Sequence, residues 1–377
     1  MKISYITKYD ALDIHKLSGT GTYIAKALLN QGVELDYIGN LRTYLNFELI
    51  YKKIFYRLTG KNFSLEREPL VVKHYARQVT ASLKSNTDII FSPSSIPIAL
   101  LESNKPKVIY TDATFAGMIG FFKGFSNFCE ETIRNGNILE KQSLESAAMI
   151  FYTSDWAAKT AIENYNINPA KIKIVPRGAN IICNRNLLSI KEIVSERSTD
   201  ICNLLFIGID WERKDGLKAV HIAEKLNALG IKTNLHIIGP EKLPLKTVPR
   251  FVYNHGYISK SSIEGQKKID KILSNAHFLL LPTIADCAPI VFSEANSFGV
   301  PCLSTNIGGI AGIIKDDING KLFSLEASAD QYAAYIELFF LDKLKYAGLA
   351  YSSFNEYEKR LNWNVSGKSI MKHIREL

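Results

Sequence analysis

Asp286-Cys-Ala-Pro-Ile-Val-Phe-Ser-Glu294, continued by Ala295-Asn-Ser-Phe-Gly-Val-Pro301, holds two carboxylates with seven residues between them. The run before it, His277-Phe-Leu-Leu-Leu-Pro282, is short, apolar and closed by a proline, which predicts a buried parallel strand. Pro289 suits the first turn of a helix, where its missing N–H is one that would find no partner anyway. Asp286 then stands at the carboxyl end of a strand, beside the N–H groups of a helix start. Open α/β sheets bind ligands at such places, and a helix dipole there favours phosphate. Glu294 falls about a turn and a half into the helix and faces the same crevice. Amides for phosphate, one carboxylate for sugar hydroxyls and one for ribose hydroxyls suit a nucleotide-diphosphate ligand. An acidic strand-to-helix loop in an ordinary α/β domain has the same local pattern, so the neighbouring segments must decide.

The chain is long enough for two domains, with 377 residues, 46% hydrophobic and 22% charged. Its formal charge of +9 points to acidic partners, such as phosphorylated small molecules or anionic lipid. No nucleic-acid-binding motif accompanies the charge, so nucleic acid is not an expected partner. Cys129, Cys183, Cys202, Cys287 and Cys302 are odd in number and scattered, which argues for a reducing compartment and against a zinc site. The start, Met1-Lys-Ile-Ser-Tyr-Ile-Thr7, alternates like a strand and lacks the apolar centre of a signal peptide. With no window of transmembrane length, a cytoplasmic protein is expected.

Two series of alternating strands and helices run along the chain, which predicts two Rossmann-like α/β domains facing across a cleft. In the first, a strand at 2–7 leads through Ser18-Gly-Thr-Gly21 to a helix from Tyr23 to Gln31 and a strand at 33–38. Residues 42–84 read as a helical stretch rich in Tyr, Phe, Lys and Arg. Further strands are expected at 88–91, 108–110, 149–152 and 171–176, and Ser154 as the N-cap of the helix that follows the third of them. This domain spans 1–180, and the polar stretch 181–199 reads as a linker. The second domain, 200–355, restarts with the strand Leu204–Ile207, and a helical tail runs from about 328 to 376, its last part (356–377) packing back on the first domain.

Several of these segments, in this order, resemble the family 4 glycosyltransferases of the GT-B fold. Gly208-Ile-Asp-Trp-Glu-Arg-Lys-Asp-Gly216 is similar to the family's phosphate loop, particularly to a bacterial subgroup with a Trp-x-Arg-Lys core. Asp286 to Glu294 resembles its acidic pair, with Asp in place of the usual first Glu; Gly299-Val-Pro301, Gly308-Gly309 and Asn319-Gly320 resemble its downstream signature. Ser18–Gly21, Thr111-Asp-Ala-Thr114, Ser154-Asp-Trp156 and Gly178-Ala-Asn180 are similar to the same subgroup. The resemblance implies a retaining transfer from a nucleotide-diphosphate sugar (a UDP-, GDP- or ADP-sugar) to a glycan, a lipid-linked or another hydroxyl acceptor, with no further cofactor. It assigns Glu294 to the donor ribose, Asp286 to sugar hydroxyls, and the base to the neighbourhood of Gly239-Pro240 and Tyr257-Ile258. Asp112 stands where many relatives carry a histidine near the transferring sugar, and a turn or N-cap role is open to it as well.

The leaving diphosphate needs positive charge, from a metal or from fixed cations and amides. The chain has no Asp-x-Asp motif at a strand end but carries Arg213 and Lys214 side by side in a glycine-bounded loop. These are the expected catalytic cations, with Asp286 and Asp112 beside them and no metal. The donor is expected to touch Gly19, Thr20, Gly21, Arg213, Lys214, Tyr257, Asp286, Cys287, Ala288, Pro289, Ile290, Val291 and Glu294. A nucleotide-sugar epimerase, or a non-catalytic partner of another transferase, would share the donor site. Phe115–Phe128 is open to two readings, an acceptor loop or a packed segment. Leu49-Ile-Tyr-Lys-Lys-Ile-Phe-Tyr-Arg57 mixes aromatics and cations as interfacial helices do, so peripheral contact with anionic membrane through Lys52, Lys53 and Arg57 stands beside a core-facing helix.

Overall fold

The computed structural model describes the backbone of all 377 residues and every side chain except those of Leu17 and Ser18, so the Ser18 side chain of the Ser18–Gly21 motif lies outside it. Contacts divide the chain into two units, Met1–Pro176 with Ser366–Leu377, and Arg177–Val365.

Unit 1 contains β1 (Lys2–Ile6), α1 (Thr20–Leu29), β2 (Glu34–Ile38), α2 (Phe47–Leu58), α3 (Pro69–Ser82), β3 (Ile89–Ser92), β4 (Lys107–Thr111), α4 (Phe115–Met118), α5 (Glu130–Ser146), β5 (Met149–Tyr152), α6 (Asp155–Tyr165) and β6 (Ile172–Ile174). Its six strands are all parallel in the order β2-β1-β3-β4-β5-β6. β3 and β5 are buried at every position because helices cover both faces of the sheet, whereas the edge strands β2 and β6 are half open. α1 begins three residues earlier than its apolar pattern suggests. Gly19, at φ 78°, makes the left-handed turn into it, and Gly21 lies in the first helical turn under the Tyr9 ring rather than before the helix.

Unit 2 contains α7 (Leu187–Glu196), β7 (Cys202–Ile207), α8 (Gly216–Ala228), β8 (Thr233–Ile238), β9 (Val252–Asn254), α9 (Ile263–Asn275), β10 (Phe278–Leu281), α10 (Ile290–Asn296), β11 (Cys302–Thr305), β12 (Gly320–Phe323), α11 (Ala329–Phe340), α12 (Lys343–Arg360) and the start of α13 (Trp363–Ile374). Its sheet is also parallel, in the order β12-β11-β10-β7-β8-β9.

Two expectations change here. The supposed linker at 181–199 holds α7, which buries Ile190 and Val194 in the unit 2 core. Its N-terminus is closed by a capping box between Asn186 and Ser189, a pairing less conspicuous in sequence than Ser with Glu. The helical tail is three helices, interrupted around Leu341-Asp342 and Leu361-Asn362, and only its last twelve residues (366–377) belong to unit 1, where the Ser366 hydroxyl donates to the Pro176 carbonyl at 2.8 Å.

His277, buried at the head of β10, gives unit 2 a pH dependence. Its Nδ1 accepts the Asn203 N–H at 3.0 Å, so the proton sits on Nε2 and is donated to the Ser198 carbonyl at 2.8 Å. Burial, with the nearby Arg197 charge adding to it, pushes the imidazole down to about 4. The ring is therefore neutral when folded and protonates below about pH 6.5 when unfolded. Its stabilisation is complete above that value and is lost as pH falls toward 4, by about 2 kcal/mol at pH 5. Melting curves at neutral pH and near pH 5 should show this loss, and His277→Asn should flatten it; an unchanged pH slope in the variant would rule the ring out as its source.

Candidate functional site

The unit 2 sheet reverses its order between β7 and β10. The chain leaves β7 toward β8 and β9 on one side and returns to β10 on the other. Loops past two such carboxyl ends diverge, leaving a crevice for a ligand. The loop after β7 carries Arg213 and Lys214, and the loop after β10 carries Asp286.

These three side chains meet. Arg213 Nη1 donates to Asp286 Oδ2 at 3.1 Å, and Lys214 Nζ pairs with the same oxygen. Arg213 also reaches the Ala285 carbonyl at 2.8 Å and, through Nε, Asp210 Oδ2 at 3.1 Å. The two loops are tied by backbone too: the Arg213 carbonyl accepts the Thr283 hydroxyl and the Ile284 N–H, each at 2.9 Å. The position of the cations is therefore set by the strand end opposite.

The shape of the cation loop follows from its glycines and its tryptophan. Trp211 packs on Phe206 with ring centroids 5.6 Å apart and lies so close over Gly216 that a Cβ there would enter the indole. Asp215 takes a left-handed turn at φ 50° and caps α8, its carboxylate accepting the Lys218 N–H at 3.2 Å. Lys214 is only 8% exposed. Burial pushes its ammonium below the ordinary lysine range, Asp286 pulls it back up, and Arg213 pushes it down again. With Asp210 counted, two cations face two carboxylates, so the cluster is neutral before any ligand arrives.

Glu294 sits in the second turn of α10 and is 1% exposed. Both of its oxygens are held by Lys260 Nζ, at 2.5 and 2.6 Å. Lys260 is the functional candidate that the sequence did not offer. It stands in Ser259-Lys-Ser-Ser262, a polar approach to α9 with no motif, and only the fold brings it across 34 residues to Glu294.

Between the two acidic residues, Cys287, Ala288 and Pro289 are buried, while Ile290 and Val291 open α10 half-buried. Pro289 is the N-cap residue itself, one position ahead of the first turn. The Gly309 N–H donates to the Asp286 carbonyl at 3.3 Å, which anchors the Gly308-Gly309 turn to the site. Gly239, at φ 140°, lies against the Gly208 carbonyl, so the loop after β8 closes on the loop after β7. Tyr257, in the loop after β9, has an exposed side chain, and its N–H donates to Glu241 Oε1 at 3.3 Å.

The remaining candidates lie in unit 1. Gly19, Thr20 and Gly21 form the start of α1, the helix that follows β1. Asp112 follows β4, half-buried, and the N-cap of α4 is Thr114, whose hydroxyl accepts the Gly117 N–H at 3.1 Å. The N-cap role open to Asp112 is thus taken. Phe122 packs on Phe121 and Phe125, and Phe121 on Trp156 with ring centroids 5.2 Å apart, so these rings of 115–128 are in packed contact. His236 and His255 stack in unit 2 with nitrogens 3.1 Å apart, and burial followed by the His255 neighbour lowers His236 to about 4. Among the described residues no three His, Cys, Asp or Glu side chains converge as metal ligands.

Residues 197–359 match the family described as Glycosyl transferases group 1. That span contains Arg213, Lys214, Lys260, Asp286 and Glu294. The chain is 23% identical over 172 residues to the UDP-Gal:alpha-D-GlcNAc-diphosphoundecaprenol alpha-1,3-galactosyltransferase of Escherichia coli, covering 44% of each. It spans less than half the length of the curated relatives it matches. The sucrose-phosphate synthase of Thermosynechococcus elongatus superposes with a TM-score of 0.69 at 14% identity, over 100% of this chain and 98% of that one. The Anabaena protein HepE, solved with UDP and glucose, superposes with a TM-score of 0.63 at 14% identity over the whole of both chains. At such identities the likeness carries the fold, which is the GT-B class.

Proposed function

We propose that this chain is a glycosyltransferase that moves a sugar from a nucleotide-diphosphate sugar to a hydroxyl acceptor, using Arg213 and Lys214 in place of a metal. The reading rests on the meeting of Arg213, Lys214 and Asp286 where the unit 2 sheet reverses. In the transfer, the bond from the anomeric carbon to phosphate breaks and the acceptor oxygen bonds to that carbon. The acceptor proton passes to the departing diphosphate, and the configuration is retained. Negative charge grows on the diphosphate as it leaves, and fixed cations in a dry site stabilise it strongly. Arg213 supplies a planar two-pronged donor and Lys214 a point charge.

The resting ion pairs fit this role. Phosphate oxygens replace Asp286 and Asp210 as partners of the cations, one anion exchanged for another, so Lys214 never stands buried without a counter-charge. Asp286 is then available to accept hydroxyl protons from the sugar, and Glu294, once Lys260 shares or yields it, those of the ribose. The amides of Ile290 and Val291 add donors at the start of α10. Two similar proteins are named for UDP-galactose or solved with UDP and glucose, which makes a UDP-sugar the first donor to test. A lipid-linked acceptor is favoured by the diphosphoundecaprenol substrate in the name of the first.

The test is a thermal-shift panel of UDP-, GDP- and ADP-sugars in the presence of EDTA. A donor that binds only the folded chain should add about 2.7 kcal/mol at one hundred times its Kd. One base class should raise the melting point, and Glu294→Ala should abolish the rise. A rise that appears only with added divalent metal would remove the role given to the two cations. Conversion of the donor alone into its epimer would instead make the chain an epimerase.

A further inference from the structure

α2 buries a single residue, Leu49, in twelve. Phe47, Ile50, Tyr51, Ile54, Phe55 and Leu58 follow at spacings of three and four and share one face. That face is open: Phe47 is 93% exposed, Leu58 82%, Tyr51 67%, and the other three lie between 45% and 55%. The helix is fastened instead by polar groups on its inner side. Lys52 Nζ reaches Glu131 at 2.7 Å, Glu48 at 3.2 Å and Glu68 at 3.6 Å, and the Tyr56 hydroxyl donates to Glu131 at 3.1 Å. Hydrogen bonding to Glu131 is the main cause that holds the Lys52 ammonium above the ordinary lysine range. Lys52 is therefore an internal anchor, which corrects its expected place among the outward cations.

The charges bordering the open face are Lys53 and Arg57, both exposed and one turn apart, on one side, and Glu48, already paired with Lys52, on the other. Contiguous apolar surface of this kind marks a place where something docks. Rings and branched aliphatics set beside unneutralised cations match one occupant, the surface of an anionic bilayer. The apolar side chains reach the boundary of headgroups and acyl chains while Lys53 and Arg57 meet lipid phosphates. The net charge of +9 has the sign such a surface attracts, and no described helix is long and apolar enough to cross a membrane. We propose that α2 lies in the plane of an anionic lipid surface and seats the chain on it through Phe47, Ile50, Tyr51, Ile54, Phe55 and Leu58. This contact is independent of the donor chemistry in unit 2.

Co-sedimentation of the full chain with vesicles tests it, using phosphatidylcholine alone and phosphatidylcholine mixed with phosphatidylglycerol. The unaltered chain should bind the mixed vesicles and release as salt is raised. Ile54→Ser/Phe55→Ser/Leu58→Ser should weaken binding at least about tenfold, and Lys53→Gln/Arg57→Gln should do the same, since each surface cation contributes about fivefold. These positions are exposed, so melting midpoints should stay near the parent value and separate lost docking from lost folding. Failure of the unaltered chain to bind either vesicle would overturn the proposal, as would undiminished binding by the triple serine variant. A dimer that the serine variant dissolves, together with no vesicle binding, would assign the face to a second copy instead.

Discussion

Lys214→Met is expected to lower turnover of the donor sugar by about a thousandfold while the chain stays folded, the scale of removing one preorganised charge from a site of developing negative charge. The argument starts from position. Lys214 is held by the fold, with its stem against Gly208, so once phosphate has taken the place of Asp286 beside its ammonium it needs no further reorganisation when charge appears on the leaving diphosphate. A cation that strengthens its grip only as the bond breaks acts on kcat and leaves donor affinity nearly alone. Arg213→Lys is expected to behave similarly despite keeping the charge. A lysine cannot hold the Ala285 carbonyl and a phosphate through one planar group. Donor-consumption kinetics with and without acceptor, beside melting curves, check both variants. Turnover within about threefold of the parent in both would remove these cations from the mechanism.

How much of this was legible beforehand depends on the range of each contact. The parallel strands were readable because β3, β5 and β10 are covered on both faces, leaving unbroken apolar runs. Asp286 and Glu294 were readable because strand end, loop and helix start are contiguous in sequence. What joins Lys214 to Asp286 was not, since 72 positions separate them and only the strand order sets β7 beside β10. Lys260 is hidden for the same reason. The region 181–199 looked like a linker because polar residues are mixed among its apolar ones, Arg197 near its end among them. The structure buries that guanidinium on the carbonyls of Ser274, Phe298 and Gly299, at 2.7–3.0 Å. α2 defeats sequence reading in another way. Its periodicity marks an apolar face correctly, yet periodicity cannot say which side points inward, and here ion pairs to Glu131 and Glu68 turn the polar side in.

Asp286→Ala is expected to destabilise the chain by about 3 kcal/mol near neutral pH, as breaking one partner of a buried ion pair does. Asp286 is 9% exposed and its carboxylate serves both cations, but they depend on it unequally. Arg213 keeps Asp210 and the Ala285 carbonyl, whereas Lys214, 8% exposed, loses the anion it is paired with. The variant answers by releasing the Lys214 proton more readily, since burial already pushes that ammonium down and Asp286 was what opposed it. Because the folded value then lies further below the unfolded one, the penalty is full near neutral pH and shrinks as pH rises toward about 10.4. Urea melts of the parent and Asp286→Ala should therefore converge in alkaline buffer. Adding Lys214→Met to Asp286→Ala should restore most of the loss, because methionine fills the volume without a charge to satisfy. If the double variant is as unstable as the sum of the two single ones, the pair is not coupled, and the tie between the two loops must rest on Thr283 and the Arg213 backbone instead.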